Sequence, residues 1–210
     1  MGIRGLTSFM KGIRAVWTST CLSSTKLVID GNNLLFHLYI SSGLDMQCGG
    51  QYLEYYQLIR VFFSTLKKHH IEAVVVLDGV DEGDLKLPTR RKRANEKIGK
   101  AQTFDCVPPL FIEQVFFQAA ADSDVELKMC DYEGDTVAAQ LANSLCCPVL
   151  SNDSDFYILD IRLGLIPINT FEWQQNGGPI RCQSYHRDAF LRHINLSDEF
   201  LPLLAVLIAV

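Results

Sequence analysis

Six carboxylates carry the chemistry this sequence could perform. Asp30 closes the apolar run KLVID and Asp78 closes VVVLD. Glu133 and Asp135 lie in YEGD, and Asp153 and Asp155 in SNDSD. In an open α/β sheet the carboxyl ends of parallel strands converge on one crevice, so acids placed there become neighbours. Carboxylates crowded together repel one another unless cations neutralise them, and hard divalent ions, Mg2+ or Mn2+, suit all-oxygen ligands. A pair of such ions would activate water and stabilise a leaving oxygen, which is two-metal phosphodiester hydrolysis.

Each acid also has a plainer reading. Asp30 would cap the helix that follows it, Asp78-Gly79 would be a strand-to-loop turn, Asp135 would cap the next helix, and Asp153-Ser154-Asp155 would be a surface turn. These explain the acids one at a time. They give no reason for all six to close strands or open helices within one α/β unit. A phosphatase using Asp78 as nucleophile would want a second acid two residues on, where Val80 stands.

A second constellation is basic. Lys86, Arg90, Arg91, Lys92, Arg93, Lys97 and Lys100 crowd into one short stretch. Arg90, Arg93, Lys97 and Lys100 recur at three or four residues and share a helix face, which would be either solvated or turned to a phosphate backbone. Because this helix starts soon after Asp78, it should begin beside the crevice. Lys86 and Arg93 are the candidates to hold the scissile phosphate, with Arg90 and Lys97 as contacts to the strand. Phe36, soon after Asp30, is the aromatic best placed to stack a base.

The elements that must position these groups alternate. Short apolar runs predict strands at Lys26–Asp30, Ala73–Asp78, Val125–Met129, Pro148–Ser151, Phe156–Leu159 and Leu165–Pro167. Helical spacing marks Asn33–Ser41, Glu54–His70, Thr89–Ala101, Pro109–Ala121, Thr136–Ser144, Asp188–His193 and Phe200–Val210. Such alternation argues for an α/β class with a parallel sheet covered on both faces.

Composition bounds the rest. The chain has 210 residues, 48% of them hydrophobic and 20% charged, with a net charge of −5. That is enough for a sizeable core, and the overall charge does not mark a nucleic-acid binder. Seven scattered cysteines include no CxxC pair, so free thiols in a reducing compartment are expected rather than zinc or disulfides. Arg4, Lys11 and Arg14 interrupt any N-terminal apolar run, and the tail Leu201–Val210 is too short to span a bilayer, so no membrane role is expected.

Taken together, MGIRGL, KLVIDGNNLLFH, VVVLDG, EGD and PVLSNDSDF resemble the flap-endonuclease superfamily, which includes the xeroderma pigmentosum group G enzyme. The opening MGIRGLTSFM, SNDSDF and LPLLAVL resemble the Asteroid branch most. The resemblance implies a PIN-like three-layer fold with a central, mostly parallel sheet flanked by helices, residues 1–210 forming one nuclease domain. It implies a structure-specific endonuclease acting on single-stranded, flap or overhang DNA in nuclear repair, with two Mg2+ or Mn2+ ions. Asp30 and Asp78 would match the first metal-ligand aspartates, Glu133 and Asp135 the acid-x-acid pair, and Asp153 and Asp155 the following pair. Gly2 would lie near the substrate junction, Lys86 and Arg93 in the gateway helix, and Phe36 at the stacking position. A monomer is expected, with repair proteins as partners.

Two departures qualify this. After a segment like LPLLAVL the family pattern supplies a further aspartate and a helical DNA-binding module, and both are expected to be absent here. The stretch from Gly79 to Pro108 is also short for an arch that threads single strands. The alternative is therefore a catalytically inactive PIN-like module serving interaction or signalling.

Overall fold

Residues 3–46, 49–79, 95, 107–131, 133–175 and 177–209 are described by a computed structural model. Its strands are β1 (Trp17–Leu22), β2 (Thr25–Asp30), β3 (Ile71–Leu77), β4 (Glu126–Met129), β5 (Val149–Leu150), β6 (Leu165–Ile166) and β7 (Ile180–Tyr185). They form one sheet in the order β1-β7-β6-β5-β2-β3-β4. The run β6-β5-β2-β3-β4 is parallel throughout, and β7 pairs antiparallel with both β6 and β1.

The helices are α1 (Leu6–Gly12), α2 (Gly31–Ser41), α3 (Tyr52–Lys68), α4 (Ile112–Asp122), α5 (Gly134–Leu145), α6 (Arg187–Ile194) and α7 (Leu201–Ala209). Alternate residues of the central strands point to opposite faces. Leu27 and Ile29 of β2 and Val75 and Leu77 of β3 join Leu34, Tyr55, Phe62 and Phe116 in a core under α2, α3 and α4. Val28 and Val76 join Met10, Ala138, Ala142, Phe190 and Leu201 in a second core on the other face. The continuous apolar runs of β2 and β3 thus follow from their being covered twice. The result is the three-layer α/β arrangement expected from the alternation.

Helix α3 illustrates how the sequence builds a layer. Tyr55, Ile59, Phe62, Phe63 and Leu66 repeat at helical spacing and are all buried, while Lys67 and Lys68 sit in the last turn, where the carbonyl end of the helix favours cations. Among the described residues, no helix is long and apolar enough to cross a membrane.

Two features differ from the expectation, and one expected element is not described. Phe156–Leu159 is not a strand, because Ser154–Tyr157 is a 3-10 turn. The Asp153 side chain accepts the Asp155 amide there at 3.2 Å, so local bonding replaces a ladder. Strands β1 and β7 and helix α1 were not foreseen. In β7, IRCQSY does alternate between buried and exposed positions over its first four residues, a period-two signal that a search for buried runs passes over. The expected basic helix Thr89–Ala101 lies outside the described residues, apart from residue 95.

Candidate metal centre

The acids stand at strand ends or helix starts. Asp30 is the last residue of β2, Asp78 follows β3 directly, and Asp153 and Asp155 follow the end of β5 by three and five positions. Glu133 occupies the N-cap of α5 and Asp135 lies in its first turn. Because β5, β2 and β3 are adjacent and parallel, their carboxyl ends open on one side. Carboxylate oxygens of Asp135, Asp153 and Asp155 come within 4.8 Å of one another.

Local bonding fixes several of these side chains. Asp30 uses one oxygen to accept the Asn33 amide at 3.0 Å, capping α2, and the other to accept the Ser151 hydroxyl at 2.7 Å. Ser151 in turn accepts the Asp153 amide at 2.9 Å. Asp78 accepts the Gly134 amide at 2.7 Å, tying the end of β3 to the start of α5. Asp155 accepts the Ile3 amide at 3.1 Å, and Ser154 donates to the Ile3 carbonyl at 3.2 Å, so the first described residue is held at this segment.

Two glycines make room for the arrangement. A Cβ on Gly134 would stand 3.0 Å from the Asp78 carboxylate, and one on Gly79 would stand 1.9 Å from the Cys130 carbonyl oxygen. Gly134 thus leaves room for the Asp78 carboxylate at the start of α5, and Gly79 for the backbone of Cys130 and Asp131 beside the end of β3.

The electrostatics fit a cation site. Burial pushes Asp135 up to about 7, helped by the charges of Asp30, Asp153, Asp78 and Asp155. Burial likewise raises Asp30 to about 6; the Ser151 and Asn33 bonds oppose this, while Asp153 and Asp78 add to it. Asp155 is raised by burial first and by Asp153 next, with Glu133 contributing. Asp30, Asp135 and Asp155 therefore feel the neighbouring carboxylates through a partly dry crevice. An all-oxygen, mutually repelling donor set suits hard divalent cations, which would relieve the repulsion and hold the carboxylates ionised.

Gly2, Lys86, Arg90, Arg93 and Lys97 lie outside the described residues. Phe36 is half-buried and packs against the larger core. Asp135 does not cap its helix, which begins one residue earlier at Gly134. Sequence reasoning missed Ser151, which is fully buried and joins Asp30 to Asp153. It also missed Asn152, which donates to Asn33 Oδ1 at 3.1 Å, accepts the Asn169 amide at 3.2 Å and lies 3.4 Å from His37 Nδ1. Neither carries a periodic or charge signal; only their position inside SNDSD, between the strand and its acids, marked them.

Comparison with known proteins adds family to geometry. The XPG N-terminal domain model matches residues 1–100. "Single-strand DNA endonuclease ASTE1" of Homo sapiens is 41% identical over 99% of this chain, and "Protein asteroid" of Drosophila melanogaster is 37% identical over 81% of it. The chain belongs to the Asteroid family. This Asteroid chain spans about a third of the length of its human relative, 32%, and 20% of the fly protein.

Solved structures agree on the fold of the Asteroid chain. The catalytic core of Rad2 in complex with DNA substrate superposes with a TM-score of 0.65 at 16% identity, over 94% of this chain and 60% of that one. Flap endonuclease-1 from Methanococcus jannaschii gives 0.60 at 16% identity, over 92% and 68%. The fold is the PIN-like α/β fold of these nucleases.

Proposed function

We propose that this chain carries the catalytic domain of a structure-specific endonuclease that hydrolyses phosphodiesters in single-stranded, flap or overhang DNA. The observation that supports it most is the approach of Asp135, Asp153 and Asp155 to within 4.8 Å at the carboxyl ends of parallel strands. The names of the relatives, single-strand DNA endonucleases, point to the same substrate. DNA repair in the nucleus is the setting we infer from that choice of substrate.

Asp135, Asp153 and Asp155 would hold divalent ions, Mg2+ or Mn2+, with Glu133, Asp30 and Asp78 completing the donor set directly or through water. Bound there, a pair of ions supplies water activation and neutralises charge developing on the phosphate oxygens. The protein groups orient this chemistry. Ser151 fixes the Asp30 carboxyl and the Asp153 backbone, and Asp78 fixes the start of α5. Lys86 and Arg93 are proposed to hold the scissile phosphate, with Gly2, Phe36, Arg90 and Lys97 along the strand. Contacts of this kind position the backbone without reading sequence, so strand geometry would select the substrate.

The test is cleavage of end-labelled single-stranded and flap DNA by the full chain in Mg2+, in Mn2+ and in EDTA. Metal-dependent cutting that Asp153→Ala abolishes is the expected result. Cleavage that survives this substitution, or that proceeds in EDTA, would overturn the proposal. Metal-induced thermal stabilisation without any cleavage would instead favour an inactive binding module.

A further inference from the structure

A cleft of about 300 Å³ opens between the second half of α2, α3 and the segment Ile168–Gln174. Its lining includes His37, Ser41, Leu58, Asn169, Trp173 and Gln174. None of its lining residues carries a carboxylate, an ammonium or a guanidinium group. The cleft is thus electrically unlike the acidic crevice. It offers side-chain donors and acceptors, an imidazole and an indole.

Asn152 joins the two. Its amide nitrogen donates to Asn33, whose own amide caps onto Asp30, and its side chain touches both His37 and the Asn169 amide. Asn152, next in sequence to Asp153, therefore links the acids to the cleft. Trp173 is held in place from behind, packing edge-to-face on Phe62 with ring centroids 5.2 Å apart at 81°. Its backbone is fixed as well, because the Trp173 amide donates to Phe171 O at 2.9 Å and the Glu172 amide to Arg181 O at 2.9 Å. The ring remains half-buried, which leaves part of it open to the cleft.

We propose that this cleft is a nucleobase subsite, in which one unpaired base of the strand engaged at the acids lies against Trp173 and offers its edge to His37, Asn169 and Gln174. The inference rests on the nuclease reading. A neutral, hydrogen-bonding cleft with an aromatic wall suits a base, whereas a phosphate would want cations and a metal would want carboxylates. Stacking on an indole tolerates every base, so the subsite confers preference for unpaired strands rather than for sequence. A base still in a duplex is stacked on its neighbours and cannot enter. The cleft would thereby contribute to the choice of strand geometry.

The experiment measures binding in EDTA, so that it reads no cleavage. Anisotropy of a labelled single-stranded oligothymidylate is compared with that of an abasic strand of equal length, using the full chain. Trp173→Ala should weaken binding of the base-bearing strand about tenfold, the loss of one stacked base, and leave the abasic strand unchanged. Gln174→Ala, at an exposed position, should weaken the base-bearing strand roughly threefold, with the same selectivity. Should Trp173→Ala lose its thermal transition, Gln174→Ala and Trp173→Phe carry the test, the latter retaining most of the binding. Equal weakening of both strands, or no change in either, would overturn the subsite while leaving the acids' role intact. Absence of binding by either strand to the unaltered chain would count against the DNA reading itself.

Discussion

The Ser151 hydroxyl donates to Asp30 at 2.7 Å and accepts the Asp153 amide at 2.9 Å, so one buried side chain couples the ends of β2 and β5. Strands β5 and β6 each contain only two residues, and little ladder is available there to fix the acids that follow. The hydroxyl supplies part of what a longer ladder would.

Ser151→Ala should therefore cost about 1–3 kcal/mol of stability, because it leaves a partly buried carboxylate oxygen and a partly buried amide without their partner. Cleavage should fall about tenfold and the Mn2+ concentration needed for half activity should rise. Ser151→Thr, which keeps the hydroxyl, should restore most of both. Chemical denaturation and a metal titration read the two effects separately. An alanine variant as stable and as active as the parent would remove Ser151 from its assigned role.

Gly134→Ala should destabilise the protein even though alanine is the better helix former. In an ordinary helix the exchange gains up to about 1 kcal/mol. Here the added Cβ would lie 3.0 Å from Asp78 Oδ1 and push the carboxylate off the amide it accepts. A net loss of about 1–2 kcal/mol is expected, with lower cleavage, as for other small overpacking changes. The loss should shrink in an Asp78→Ala background, where the clashing oxygen is gone. Equal losses in both backgrounds would show that the contact is not the cause.

Metal-free protein should become less stable as pH rises from 4 to 7. Asp135 is raised from 3.8 to about 7 and Asp30 to about 6, so the folded state holds protons that the unfolded state has released. A raised carboxyl contributes stability that is complete below pH 3.8 and is lost as pH climbs through the folded value. Mg2+ should reverse this trend at pH 7.5 by favouring the ionised acids. After allowance for solvent screening, Asp135→Asn should stabilise the metal-free chain at pH 7.5 by about 1–2 kcal/mol and reduce the stabilisation by Mg2+. Thermal melts across pH, with and without Mg2+, test this. A flat profile would contradict the crowding of the acids.

The sequence revealed the central strands and the acids at their ends because both leave local signatures. KLVID and VVVLD are apolar runs closed by a charge, and their burial on both faces is what makes them continuous. The β1 edge of the sheet was illegible for the same reason: WTSTCL is largely exposed and shows no apolar run, whereas the two-residue strands β5 and β6 fall within the expected Pro148–Ser151 and Leu165–Pro167. The plainer reading of Asp30 also holds, since it caps α2 while sharing the crevice, whereas the turn expected at Asp153 is capped by that residue but buries Ser154. Ser151 and Asn152 could not be ranked from sequence. Their importance lies in partners 121 and 119 positions away, and only the fold brings those together.

That double duty of Asp30 bears on how such a domain changes over evolutionary time. Asparagine anchors a helix start as well as aspartate does, so replacing this acid by its amide would keep the α2 cap while removing one charge from the cluster and the oxygen that accepts the Ser151 hydroxyl. A single-base change in the codon is enough for the exchange. Descendants of a domain built this way can shed reactivity cheaply and keep their architecture, so inert cousins should be common wherever it has been duplicated.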